Sequence, residues 1–131
     1  DATVFNKEFE NAFDIVLCDV PCSGFGVVSS KPDIKLFKTD AAISSLAQTQ
    51  KKILETACRY VRRGGRLVYS TCTLFKAENS DVVNEFLSAH GNFAVEEICL
   101  DYPKTKEGYL QFLPHRDGTD GFFISLLKRE Y

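Results

Sequence analysis

The stretch from Phe13 to Ser70 constrains the fold more than any other part of the chain, because two strand-like apolar runs flank one long helical pattern. The first run, Phe13-Asp14-Ile15-Val16-Leu17-Cys18, is almost continuously apolar and is stopped by Pro21 and Gly24; the second, Arg66-Leu67-Val68-Tyr69-Ser70, follows Gly64-Gly65. Both read as buried parallel strands, since a strand covered on both faces loses its polar alternation. Between them Ile43, Leu46, Ala47, Gln50, Leu54, Ala57, Cys58 and Val61 recur at helical spacing. With Thr39 as N-cap and Gly64 as the stop, this predicts a helix over residues 40–62. Strand, helix and strand of this length form a βαβ crossover whose two strands run the same way. Each strand leads into a cysteine, in Asp19-Val20-Pro21-Cys22-Ser23-Gly24 and in Tyr69-Ser70-Thr71-Cys72-Thr73. Open α/β sheets bind ligands at the carboxyl ends of their strands, so Cys22 and Cys72 are expected to meet there.

Downstream, Glu78 and Asn79 lead into Val82, Val83, Phe86 and Leu87, which predicts a second helix over residues 78–89. Strands follow over residues 93–98 and 121–128. If both crossovers are right-handed, the two helices cover one face of the sheet and leave the other bare. Residues 99–120, with Pro103, Gly108, Pro114 and Gly118, are long for a plain connection and suggest a functional loop or a covering flap, in which residues 110–113 add a short strand.

A chain of 131 residues supports one domain. Its net charge of -2 excludes a generally basic surface for nucleic acid. Lys51, Lys52, Arg59, Arg62, Arg63 and Arg66 read as a solvated helix face and exit rather than as a binding patch. With no apolar run long enough for a bilayer and no secretory leader, a soluble cytoplasmic protein is expected. The five cysteines, at 18, 22, 58, 72 and 99, lack the spacing of a disulfide framework or a zinc ribbon. No histidine stands at ligand spacing from Cys22 or Cys72, so no metal is expected, and without a Cys-x-x-Cys pair a redox role is disfavoured. The absence of Met and the start at Asp1, just before a linker into a strand, suggest a piece of a longer protein.

The two cysteine motifs together resemble those of the RNA cytosine-carbon-5 methyltransferases of the bacterial Sun type, which modify 16S ribosomal RNA. Asp19-Val20-Pro21-Cys22-Ser23-Gly24 resembles the family's fourth motif and Lys31-Pro32-Asp33-Ile34-Lys35 its following loop. Tyr69-Ser70-Thr71-Cys72-Thr73 resembles the sixth motif, Glu78-Asn79 the pair that follows, and Asp120-Gly121-Phe122-Phe123 the closing strand. The resemblance runs through nearly all of the chain. It implies an α/β fold that is part of a Rossmann-like methyltransferase: the C-terminal half of a mixed sheet, with strands near 13–19, 66–70, 93–98 and 121–128.

For the chemistry, the resemblance implies S-adenosylmethionine as methyl donor and RNA, most simply 16S rRNA with tRNA as an alternative, as partner. Cytosine carbon 5 is a weak nucleophile, and a thiolate added at carbon 6 makes the ring enamine-like. The resemblance makes Cys72 that nucleophile and Cys22 the residue assisting release. It gives Asp19 to the cytosine edge or to the methionine end of the cofactor, Asp1 to the cofactor's adenosine, and Pro21, Ser23 and Gly24 with Asp19 to the substrate. The family's glycine-rich first motif, its lysine and the acidic end of the next strand are missing from residues 1–131, so the cofactor pocket is expected to be incomplete and the isolated chain inactive. A strand at 13–19 without its neighbour, beside a bare sheet face on which Ile15, Leu17, Leu67 or Tyr69 and members of the 122–127 run would face water, suggests a homodimer or higher oligomer through that edge or face. A non-catalytic Rossmann-like domain binding RNA or protein is the alternative. His115, Arg116, Asp117 and Asp120, at the start of a closing antiparallel strand, would border the site, although a solvent-exposed turn is the simpler account and the one preferred.

Overall fold

A computed structural model describes residues 1–37, 39–102 and 104–131, so Lys38 and Pro103 of the loops above lie outside the described residues. The strands are β1 (Phe13–Asp19), β2 (Val61–Thr71), β3 (Phe93–Val95), β4 (Leu110–Phe112) and β5 (Phe122–Arg129). The helices are α1 (Ile34–Phe37), α2 (Asp40–Cys58), α3 (Ser80–Ala89) and α4 (Pro114–Asp117). The sheet runs β1-β2-β5-β3, and β4 pairs with the same outer edge of β5 at its other end. β1 and β2 are parallel and β5 is antiparallel to β2, which gives the expected open mixed sheet.

Helix α2 starts where expected, with the Thr39 hydroxyl accepting from the Ala42 N–H at 3.2 Å. It stops at Cys58, four residues before its expected end. The carbonyls of Arg59 and Tyr60 accept the N–H groups of Asn11 and Phe13 at 2.9 and 3.0 Å, so the chain leaves the helix into the sheet without needing a glycine cap. Val61 keeps helical spacing but pairs with Phe13 in β2. The next matched pair is Ile15 with Arg66, so residues 62–65 bulge outward. Gly64, with φ of 73°, takes the left-handed conformation that this bulge requires. Strand β3 is shorter than its expected span, although Glu96 N–H still reaches Leu126 O at 2.9 Å.

Both long helices lie on one face, as the crossover rule demands. Lys51 of α2 pairs with Glu85 of α3 at 2.5 Å, and the core joins Leu54, Leu67, Tyr69, Val82, Val83, Phe86, Phe123 and Leu127. From β2, Val61 before the bulge and Leu67 and Tyr69 after it enter this core. Leu67 and Tyr69 are fully buried on the helical side, which corrects the expectation that one of them faces water. Ile15 and Leu17 remain 61% and 67% exposed, so β1 is covered on one face only. Within these 131 residues, the strand expected to be buried is thus buried on one face. Of the 99–120 segment, β4 runs along β5, and Tyr109 just before it is buried beside Phe123 and donates to Asn84 Oδ1 of α3 at 2.7 Å.

The basic side chains largely meet carboxylates. Arg62 pairs with Asp14, Arg66 with Glu96 and Arg59 with Glu10, in keeping with a solvated face. No helix among the described residues is long and apolar enough to cross a membrane.

Candidate active site

The β1–β2 ladder ends with Asp19 opposite Ser70, and the chains leave it together. Ser70 Oγ donates to Asp19 Oδ1 at 2.9 Å, and Val20 N–H donates to Ser70 O at 3.2 Å. Just beyond, the sulfurs of Cys22 and Cys72 lie 3.1 Å apart as free thiols, and Cys72 N–H points at Cys22 Sγ at 3.3 Å. Both side chains are half-buried. Parallel strands thus deliver two cysteines to one rim, as the motifs require.

Two glycines set the path of the first loop. Gly24 has φ of 79°, and a Cβ there would stand 3.1 Å from Ile34 Cδ1 of the short helix α1. Gly26 N–H donates to Cys72 O at 2.9 Å, and Gly121 N–H donates to Gly26 O at 2.7 Å. This backbone chain ties the Cys22 loop to the end of β2 and to the start of β5.

A buried polar cluster lies beneath the thiols. The Glu78 carboxylate, fully enclosed, accepts Ser23 N–H and Gln50 Nε2 on Oε1 at 2.8 and 3.1 Å, and the Ser23 and Thr73 hydroxyls on Oε2 at 2.6 and 3.1 Å. Gln50 also donates to Pro21 O at 2.9 Å. Asn79 bridges Thr71 and Thr73, accepting from the Thr71 hydroxyl and donating to Thr73 O. Tyr69 donates to Glu78 O at 2.6 Å, and burial together with the nearby Glu78 pushes its phenol up. In the sequence Gln50 reads as one more position of the apolar stripe of α2, and Glu78 as a helix-start residue and as part of the pair Glu78-Asn79 that resembles the family's, without a role of its own. The available signal was a glutamine on an otherwise apolar face.

The other expected residues differ in setting. Asp19 and Pro21 are exposed at the rim, whereas Ser23 and Gly24 are buried and Ser23 spends its hydroxyl on Glu78. A groove of about 310 Å³ along the open edge of β1 is lined by Asp19, Pro21, Leu17, Val20, Ala2 and Tyr60. Asp1 lies next to Ala2 but turns its carboxylate to Thr3, accepting its N–H and hydroxyl at 2.8 and 2.7 Å. Near the start of β5, Asp117 accepts Leu113 N–H at 2.7 Å and pairs with Arg116, which holds its carboxyl below the usual range. Asp120 accepts from Ser29, so these residues order the turn as the simpler reading held. Among the described residues, no group of three His, Cys, Asp or Glu could hold a metal ion.

Burial, reinforced by the hydrogen bond to Cys72, pushes the Cys22 thiol up. Burial thus favours the form with a proton on Cys22.

An open mixed sheet with parallel β1 and β2 and an antiparallel closing strand places the chain in the Rossmann-like methyltransferase fold class. Within it, the model of the 16S rRNA methyltransferase RsmB/F family matches residues 1–128, and the chain belongs to that family. It is 41% identical to the probable ribosomal RNA small subunit methyltransferase B of Bacillus subtilis (strain 168), over 99% of this chain and 31% of that protein. It is 34% identical to ribosomal RNA small subunit methyltransferase F of Serratia proteamaculans (strain 568), over 100% of this chain and 29% of that protein. The crystal structure of NSun6 from Pyrococcus horikoshii, solved with SFG, superposes with a TM-score of 0.74 at 32% identity, covering 88% of this chain and 29% of that one. The chain thus spans about a third of the length of the curated relatives it matches.

Proposed function

We propose that this chain is the cysteine-bearing C-terminal part of an S-adenosylmethionine-dependent methyltransferase domain that methylates cytosine carbon 5 in RNA, with 16S rRNA as the substrate and the cytoplasm as its setting. The observation that carries the reading is the 3.1 Å approach of Cys22 and Cys72 Sγ at the strand-end rim. In this mechanism Cys72 attacks as the thiolate while Cys22 keeps its proton and donates a hydrogen bond to it. The new S–C6 bond takes the Cys72 electron pair, and the C5=C6 π pair becomes available at C5 for methylation. Bound S-adenosylmethionine supplies an electrophilic methyl group. The C5 proton then leaves to solvent, its electron pair restores C5=C6, the C6–S bond breaks, and Cys72 departs as a thiolate. The Cys22 S–H stabilises that departing charge.

The residues present fit part of the cofactor. Asp19 has one carboxylate oxygen engaged by Ser70, can accept an ammonium or the cytosine edge with the other, and stands beside the apolar wall of Leu17, Val20 and Pro21. Asp1 is the further residue assigned to the adenosine side, and Pro21 with the Ser23-Gly24 turn to the substrate side. No glycine-rich phosphate- or nucleoside-cradling loop occurs in residues 1–131, so the isolated chain is expected to be inactive. The exposed edge of β1 and the bare face at Ile15 and Leu17 support self-association of this chain.

The test uses the full-length protein and RNA carrying 5-fluorocytosine. Fluorine cannot leave as the C5 proton does, so a covalent adduct through Cys72 is expected to persist on a denaturing gel. Methyl transfer retained by Cys72→Ala would overturn the assignment, and RNA binding without any methyl transfer by the wild type would favour the non-catalytic reading.

A further inference from the structure

Burying a carboxylate is costly unless its acceptors are filled. Glu78 fills them with donors drawn from three separate segments: the Cys22 loop, the Cys72 loop and helix α2. Ser23 is the residue after Cys22 and Thr73 the residue after Cys72, so each catalytic loop is held one residue from its thiol. The Ser23 hydroxyl has one proton and gives it to Glu78 Oε2 at 2.6 Å; the Thr73 hydroxyl then donates to Oε2 at 3.1 Å or to Ser23 Oγ at 2.8 Å. Every proton in the cluster has an acceptor, and the rigidity of the arrangement follows from its closure. Gln50 completes it from below by donating to both Glu78 and Pro21 O, thereby also holding the residue before Cys22.

We infer that Glu78 is a positioning residue that clamps the Cys22 loop to the Cys72 loop at the separation that brings the two sulfurs into contact. The inference rests on the roles proposed above for the two thiols, but its test does not pass through methyl transfer. Glu78 touches neither sulfur and acts only through Ser23, Thr73 and Gln50.

Phenylarsine oxide reports the separation directly, since its arsenic forms two As–S bonds only with closely spaced thiols, the two thiol protons leaving with the oxide oxygen as water. In the 131-residue chain, intact mass should register one bridging arsenical, absent in Cys22→Ala and in Cys72→Ala. Glu78→Ala should bridge about tenfold more slowly, the factor expected for roughly one hydrogen bond of loop ordering. Its alkylation at Cys72 by iodoacetamide should change much less, because that reagent needs only one thiol. Glu78→Gln should restore most of the bridging rate, its amide oxygen accepting Ser23 N–H and Gln50 and its NH2 donating to the Ser23 hydroxyl. Bridging at the wild-type rate in a folded Glu78→Ala chain would overturn the inference, as would a Gln variant no better than Ala. Should Glu78→Ala fail to fold, Glu78→Asp, one methylene too short to reach both loops, and Ser23→Ala decide the matter. Both are expected to slow bridging, and wild-type rates in both would overturn the clamp. Failure of the cytosine chemistry, by contrast, appears only in the fluorocytosine experiment.

Discussion

Substituting Gly26 by alanine should unhinge the cysteine site without touching either thiol. A Cβ at this position would overlap the carbonyl oxygen of Gly121 and stand 2.7 Å from Cys72 O. Both obstacles are backbone atoms at the ends of β5 and β2, so neither can swing aside as a side chain would. The loop must lift, which sacrifices the Gly26 N–H to Cys72 O and Gly121 N–H to Gly26 O hydrogen bonds. At about 1 kcal/mol each, with about 1–3 kcal/mol for overpacking, the cost is about 3–5 kcal/mol. That is a large fraction of the roughly 5–15 kcal/mol that holds a domain together. With a urea m-value of about 2 kcal/mol per molar, the unfolding midpoint should fall by about 2 M. Urea titration followed by circular dichroism measures this, and phenylarsine oxide capture of the two thiols should fall in parallel. A Gly26→Ala chain with an unchanged midpoint and unchanged capture would refute the steric reasoning.

In the full-length protein, Cys22→Ala should accumulate a covalent adduct with ordinary RNA, visible as a retarded band on a denaturing gel, because attack by Cys72 survives while expulsion slows. Normal turnover without adduct would reduce Cys22 to a turn residue. Alkaline pH should destabilise the chain. Burial, with a smaller contribution from Cys58, raises the Cys18 thiol from 9.0 to about 12, and burial raises Cys58 to about 11. Groups raised on folding stabilise fully below their unfolded value, so stability should be flat to about pH 9 and decline from there toward 11–12, by up to about 1.4 kcal/mol per pH unit for each group. Urea midpoints across that range test the slope, and stability rising above pH 9 would contradict it. Sedimentation should show a dimer or larger species that dissociates when Leu17, 67% exposed on the open edge strand, becomes Lys; a wild-type monomer at high concentration would exclude association through that surface.

The sequence by itself determined the strand-helix-strand unit and the meeting of Cys22 with Cys72. Apolar run, helical period and second apolar run leave one economical topology, and parallel strands place their carboxyl ends together whatever their register. It also carried the resemblance that the family match bears out, because motif residues around the thiols are contiguous in the chain. Only tertiary structure decided the end of α2. Val61 satisfies a helical period as well as a strand, and the choice fell to the Asn11 and Phe13 N–H groups that take up the carbonyls at 59 and 60. Tertiary structure likewise decided the faces of β2. The run Leu67-Val68-Tyr69 has no polar alternation to read, and its pairing beside Val16 and Cys18 under α2 sends Leu67 and Tyr69 inward. The same holds for the support of the site. Ser23, Thr73 and Glu78 are legible as motif residues and Gln50 as part of a helical stripe, but their joint role comes from a closed set of hydrogen bonds that exists only once the loops and α2 converge.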